Sequence, residues 1–160
     1  MEFLDVPTLL QISAAFNLMA ALTWLVLAKA FRIAPRASWL MVASHLVRVP
    51  PLSCGDCLAT APVGLRLALP ELLLMSSVVL LLFAVRRMVA SRVRARHIAW
   101  ISVLGAGGIV MGVAAGSVRA PQLANMLAMS LLSALAVREI WRGVGDRLSR
   151  AVTLCTTLPF

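Results

Sequence analysis

Ionisable residues inside long apolar runs are where this chain can do chemistry, and four stand out: His45, Arg48, Arg66 and Glu71. A charge left in hydrocarbon costs at least a few kcal/mol, so such residues need a partner, a ligand or a water-filled cavity. Glu71 is five residues beyond Arg66, roughly 7–8 Å deeper along a helix. It follows Pro70, which has no N–H to give to the preceding turn. A carboxylate beside a loosened helix suits a polar pocket open to the outer side. An ion pair with Arg48 or Arg66 would instead make Glu71 structural. Both arginines flank an outer loop that their long side chains can reach by snorkelling.

Other groups are weaker candidates. His45 and His97 differ in depth by about 10 Å if both spans start on the same side, which argues against a shared haem or metal. Cys54 and Cys57 form "CGDC", but neither a βαβ context nor a second C-x-x-C accompanies them, so thioredoxin-like chemistry and zinc both lack their setting. On an oxidising outer face the two can act as a small redox pair or disulfide. Gly108, Gly112 and Gly116 recur every four residues, a smooth strip that lets helices approach closely. It serves packing within one chain or a homodimer. No Walker loop, H-E-x-x-H or nucleophile elbow occurs among the 160 residues, and Glu139 suits an i,i+3 pair with Arg142. The chain is not expected to be an enzyme, and no metal or cofactor is expected.

The elements that must position these residues follow from composition. Hydrophobic residues make up 61% of the chain and charged residues 13%, against about 45–50% and about 25% in soluble domains. Mean hydropathy is +0.95. The surplus apolar surface has to face lipid, at roughly 20 residues per span. The fold class expected is an all-α integral membrane protein, a bundle of about five transmembrane helices filling residues 1–150. Spans are predicted over Leu9–Ala28, from Ser38 to Pro50, and over Val63–Val85, Ile98–Ser117 and Leu123–Trp141. The second is short and interrupted. Residues 151–160 are an apolar tail too short to cross about 30 Å, resembling the start of a further span.

Charge orients the bundle. Arg86, Arg87, Arg92, Arg94 and Arg96 crowd one short loop, a density that on a soluble domain would point to nucleic acid. Here they alternate with loops of the opposite character. Lys29, Arg32 and Arg36, then this loop, then Arg138, Arg142, Arg147 and Arg150 put twelve of the fifteen basic residues on one side. The other side holds Arg119 with Glu2, Asp5 and Asp56. Lys/Arg bias in short loops marks the cytoplasmic face, so the N-terminus is expected outside and the basic loops inside, with lipid rather than nucleic acid as the partner. "MEFLDVP" carries acidic residues where a cleavable signal peptide carries basic ones, so the first run is expected to stay as an anchor. Trp39, Trp100 and Trp141 fall at the inner ends of spans, where an aromatic belt lies.

The order of features resembles the membrane-embedded N-terminal sensor region of bacterial diguanylate cyclases of the GGDEF type. The likeness lies in "MEFLDVPTLLQISAAFNLMAALTWLVLAKAFR", in "APRASWLMVASHLVR" with its tryptophan, in "LLLFAVRRMV" before the third loop, and in "ANMLAMSLLSALAVREIWRG". No GGDEF signature is present, so no catalytic or metal-binding residue carries over. Where that group often has a polar "GN" before the third apolar run, this chain has Leu69-Pro70-Glu71. The resemblance implies a multi-pass input module of the inner membrane. It would perceive a lipid, small molecule or membrane state and pass a packing shift to a cytoplasmic output domain. The alternatives are a small transporter subunit and a membrane assembly or scaffold protein. Orientation is testable at once: a reagent applied outside intact cells is expected to label Cys54 and Cys57, and protection until permeabilisation would reverse the topology.

Overall fold

The computed structural model describes residues 5–53, 61–88 and 95–143, without the side chains of 51–53, 139, 140, 142 and 143. Among them are five helices and no strand: α1 (Val6–Lys29), α2 (Pro35–Ser53), α3 (Val63–Met88), α4 (Ala95–Ala114) and α5 (Arg119–Gly143). Helices are what lipid demands, since a backbone there must satisfy its own N–H and C=O groups. Four of the five, all but α2, are long and apolar enough to cross a membrane. Cys54, Cys57, Arg92, Arg94, the Glu139–Arg142 pair and the tail 151–160 lie outside what is described.

Two expectations about local structure are corrected. The second helix does not stop at Pro50 but runs from Pro35 through Pro50 to Ser53, 19 residues. At 1.5 Å per residue that is roughly 28 Å, close to a bilayer's apolar thickness. Proline as its first residue costs nothing, because that N–H has no helical acceptor in any case. Pro70 likewise does not break the third helix: α3 continues through it for 26 residues. Prolines persist in membrane helices where surrounding groups re-satisfy the backbone.

The third helix is the hub. It packs against α2, α4 and α5, whereas α1 packs on α2. One core joins Met75, Val78 and Leu82 of α3 to Ile98 and Ile109 of α4 and to Ala128, Leu132 and Ala136 of α5. A second joins Leu81, Ala84 and Val85 of α3 to Met41 of α2, with Trp24 of α1 against it. Helix α1 buries only Ala14, Ala21 and Ala28, spaced by seven so that one smooth seam meets α2. Its outer face, including Phe16 and Met19, is exposed, as are Leu104, Met111 and Leu127 elsewhere. Apolar side chains exposed in this number have lipid as their solvent.

Consecutive helices run antiparallel. Arg36 at the start of α2 and Arg87 at the end of α3 line one recess, and Lys29 Nζ lies 6.0 Å from the Trp39 ring centroid, within cation–π range. Lys29, Arg36, Arg86, Arg87, Arg96 and Arg138 therefore gather at one end of the bundle, with Trp39, Trp100 and Trp141, all exposed, at the same level.

The glycine strip is real but shifted. A Cβ on Gly105 would lie 2.6 Å from the Ala128 Cβ and 2.9 Å from the Met75 Sδ. On Gly108 it would meet Ala124 at 3.0 Å, and on Gly112 it would meet Pro121 at 2.9 Å. The face offered for a homodimer is thus covered by α5 of the same chain. Gly116 is not on that seam. It has φ +70 and ends α4: its N–H bonds the Val113 carbonyl at 2.9 Å, and the Ser117 N–H bonds the Gly112 carbonyl at 3.1 Å, the Schellman pattern that favours glycine. Gly107 has nothing within 4 Å. We predict that Gly105→Ala destabilises the bundle by about 1–3 kcal/mol through overpacking, and that Gly107→Ala leaves it unchanged or slightly firmer. Unfolding in mixed micelles measures both, and equal effects would refute the seam.

Candidate functional site

Two polar centres interrupt the apolar interior, and α3 contributes to both. The first is a layer across α1, α2 and α3. Ser77 lies fourteen residues into α3 and eleven from its end, roughly 21 Å and 16 Å along the axis, so the layer is near mid-span. The guanidinium Nε of Arg48 donates to Ser77 Oγ at 2.9 Å. Ser77 Oγ donates in turn to the Leu74 carbonyl at 2.7 Å. One turn before Arg48, Ser44 Oγ donates to the Ser77 carbonyl at 2.9 Å. Ser44 and Ser77 are both fully buried, so two residues of α2 grip one residue of α3.

The same layer extends to α1 through His45. Asn17 donates its Nδ2 to the Ser13 carbonyl at 2.8 Å, which turns its Oδ1 towards His45 Nδ1, 3.1 Å away. Facing an acceptor, Nδ1 serves as the donor of this contact. Asn17 is eleven residues into α1 and twelve from its end, so it too lies at mid-span.

This placement corrects the snorkelling expected of Arg48: its head turns inward to Ser77. No carboxylate of the described residues pairs with it. Arg66, by contrast, is exposed near the start of α3. His97 is exposed at the start of α4, far along the bundle from His45.

The second centre joins α3 to α5. Glu71 is eight residues into α3 and Asn125 six residues into α5, depths of roughly 12 Å and 9 Å from neighbouring helix starts. Asn125 Nδ2 donates to Glu71 Oε2. The partner of Glu71 is therefore an amide rather than the arginine considered for it. The glycine seam makes this contact geometrically accessible. With Gly108 and Gly112 admitting α5 against α4, position 125 comes within reach of α3.

Asn17, Ser44, Ser77 and Asn125 were not singled out from the sequence. A signal for the two asparagines was present: each is a polar amide in an otherwise apolar span, and such groups hydrogen-bond across helices. The serines carried less, because serine also serves simply as a small residue at helix contacts. Among the described residues no three or more His, Cys, Asp or Glu side chains cluster as a metal site would require.

What the first layer can do chemically is hold a fixed cation inside the bundle on a neutral acceptor, a contact that an anion would outcompete because charge-assisted bonds to anions are stronger. We predict that a double-mutant cycle of Arg48→Met and Ser77→Ala, read by unfolding in mixed micelles, gives a coupling between the average of about 0.6 and the maximum of about 1.7 kcal/mol found for interhelical hydrogen bonds in membranes. Additive effects would mean that the contact does not hold α2 on α3. Set against protein-family models, curated proteins and solved structures, the chain matches none of them.

Proposed function

We propose that this chain is a membrane-embedded sensory input module. In this reading it lies in the inner membrane with its N-terminus outside, α2 is a fifth span, and the basic loops are cytoplasmic. A lipid, small molecule or membrane state shifts its helix packing, and a cytoplasmic output domain reads the shift. The observation that carries the reading is the polar layer around Arg48.

Helix α2 is positioned by a few directional bonds, Arg48 and Ser44 to Ser77 and His45 to Asn17. Directional contacts of this kind have discrete made and broken states, unlike an apolar interface that slides. A signal moves such an equilibrium only by its differential affinity for the two packings. A guanidinium bonded to a neutral hydroxyl supplies that difference, since an anionic headgroup or small anion binds better to Arg48 released than to Arg48 engaged. The basic end of the bundle supports the insertion sense, by the excess of Lys/Arg in cytoplasmic loops. Juxtamembrane arginines there also gain about 1 kcal/mol each near an anionic leaflet.

The mass of the native gene product tests the proposal, detected in cells with an antibody against residues 86–97. A product well above 17.1 kDa carrying a cytoplasmic domain is expected. A product at 17.1 kDa would remove the attached output domain and put the transporter-subunit and assembly readings first.

A further inference from the structure

The Glu71–Asn125 contact satisfies only half of the amide. Asn125 is 4% exposed, its Nδ2 donates to Glu71 Oε2, and its Oδ1 is buried with no hydrogen-bond partner among the described residues. Buried carbonyl oxygens are nearly always bonded, so an orphan marks a group or state still to be accounted for. An ionised carboxylate accepts and cannot donate, so it can do nothing for that oxygen. A carboxylic acid has one O–H to give. Acid and primary amide then close a ring of two hydrogen bonds, O–H to the amide oxygen and N–H to the acid carbonyl.

We propose that Glu71 and Asn125 form a proton-binding site in which the neutral Glu71 carboxyl donates its O–H to Asn125 Oδ1 while accepting the Asn125 Nδ2–H. The step is simple to balance: a proton from water forms an O–H bond on a Glu71 oxygen, and nothing is oxidised or reduced. Its loss reverses the step and leaves Oδ1 unpaired again. Proton occupancy is thus coupled to how tightly α5 is held on α3. The site stands apart from the sensory reading, because it requires no output domain and no anionic signal.

Among the described residues the contact of Glu71 is with an amide, and the charged groups on the helices around it are engaged elsewhere or placed toward the helix ends. On α2 the nearest charged groups are Arg48, bonded to Ser77 six residues further along α3, and His45, turned to Asn17 of α1. Arg36 lies at the far, basic end of that helix. On α3 itself Arg66 is exposed one turn nearer the helix start, and Arg86 and Arg87 are at the other end. Helix α4 brings Arg96 and His97, also at the other end, and α5 brings Arg119, exposed at its start, and Arg138, near its far end. A proton fits better than a metal ion. Calcium and magnesium take six or more oxygen ligands, whereas this centre offers one carboxyl and one amide, with no larger cluster of ligating residues among those described.

Infrared spectroscopy of the full chain in lipid nanodiscs tests the site, with choline as the only added cation. The parent is expected to show the carbonyl-stretch band of a protonated carboxyl at neutral pH. Glu71→Gln should abolish the band; that variant keeps an amide-to-amide contact with Asn125 and so the fold. Asn125→Leu should move the band to higher wavenumber by removing its partner. Absence of the band from the parent, its survival in Glu71→Gln, or an unmoved band in Asn125→Leu would each overturn the proposal. If Asn125→Leu does not fold, the parent and Glu71→Gln spectra decide alone. Loss of the parent's band on replacing choline with sodium at constant pH would also overturn it, in favour of a metal-cation site.

Discussion

A guanidinium turned into the middle of an apolar bundle needs neighbours that can bond it, and the arrangement of the first three helices meets that constraint. Arg48 lies on α2, the helix whose own composition does not qualify it to cross a membrane. Such a helix is stable in a bilayer only if neighbours rather than lipid cover its polar groups. Two neighbours do so: α3 takes Arg48 and Ser44 on Ser77, and α1 takes His45 on Asn17. That leaves α1 at the edge with an outer face made for lipid and an inner face reduced to three alanines. The alanine seam is the counterpart of the polar layer, since His45 reaches Asn17 only if the two backbones lie close.

On the other side of α3 the same trade is made with glycine. Without side chains at positions 105, 108 and 112, α5 approaches α4 closely enough that Ala128, Ala124 and Pro121 fill the space. Glycine in a helix interior costs roughly 0.5–1 kcal/mol relative to alanine, and here close packing offsets it. The chain thus uses small residues twice, once on α1 and once on α4, and each time the close approach accompanies one polar bond to or near α3. Gly116 serves another purpose, since only its positive φ lets α4 stop and the chain turn directly into α5.

Much of this was legible in the sequence because hydropathy and arginine placement report directly on lipid. Four spanning helices and a basic end are averages over many residues, and averages are robust. What depended on single partners was not legible. Composition marked Arg48 and Glu71 as expensive, but nothing one-dimensional paired Arg48 with Ser77 or Glu71 with Asn125, which are 29 and 54 residues apart. Pro50 and Pro70 read as interruptions because local propensity counts the missing N–H. In a packed bundle neighbouring helices outweigh that loss, and both α2 and α3 run on. The fourfold glycine spacing placed Gly108 and Gly112 on the packed seam but not Gly116. A straight helix drifts off a strict four-residue repeat, so the seam that packs is 105, 108, 112, nearer the 3.6-residue period.

Helix α3 carries both polar centres, and their spacing gives it a particular mechanical role. Glu71 and Ser77 are six residues apart, which is roughly 9 Å along the axis and about 120° around it. They therefore look toward different neighbours, Ser77 toward α2 and Glu71 toward α5. From Met75 to Val85 the helix is also held by two apolar clusters that share no buried residue. A rotation or slide of α3 that breaks the bond to Arg48 must also alter the bond to Asn125, because both are directional and both hang on one rigid rod. Apolar contacts alone would let each half of the bundle adjust separately. With polar bonds on two faces of the same helix, α3 is the element that the α1–α2 half and the α4–α5 half of the bundle share.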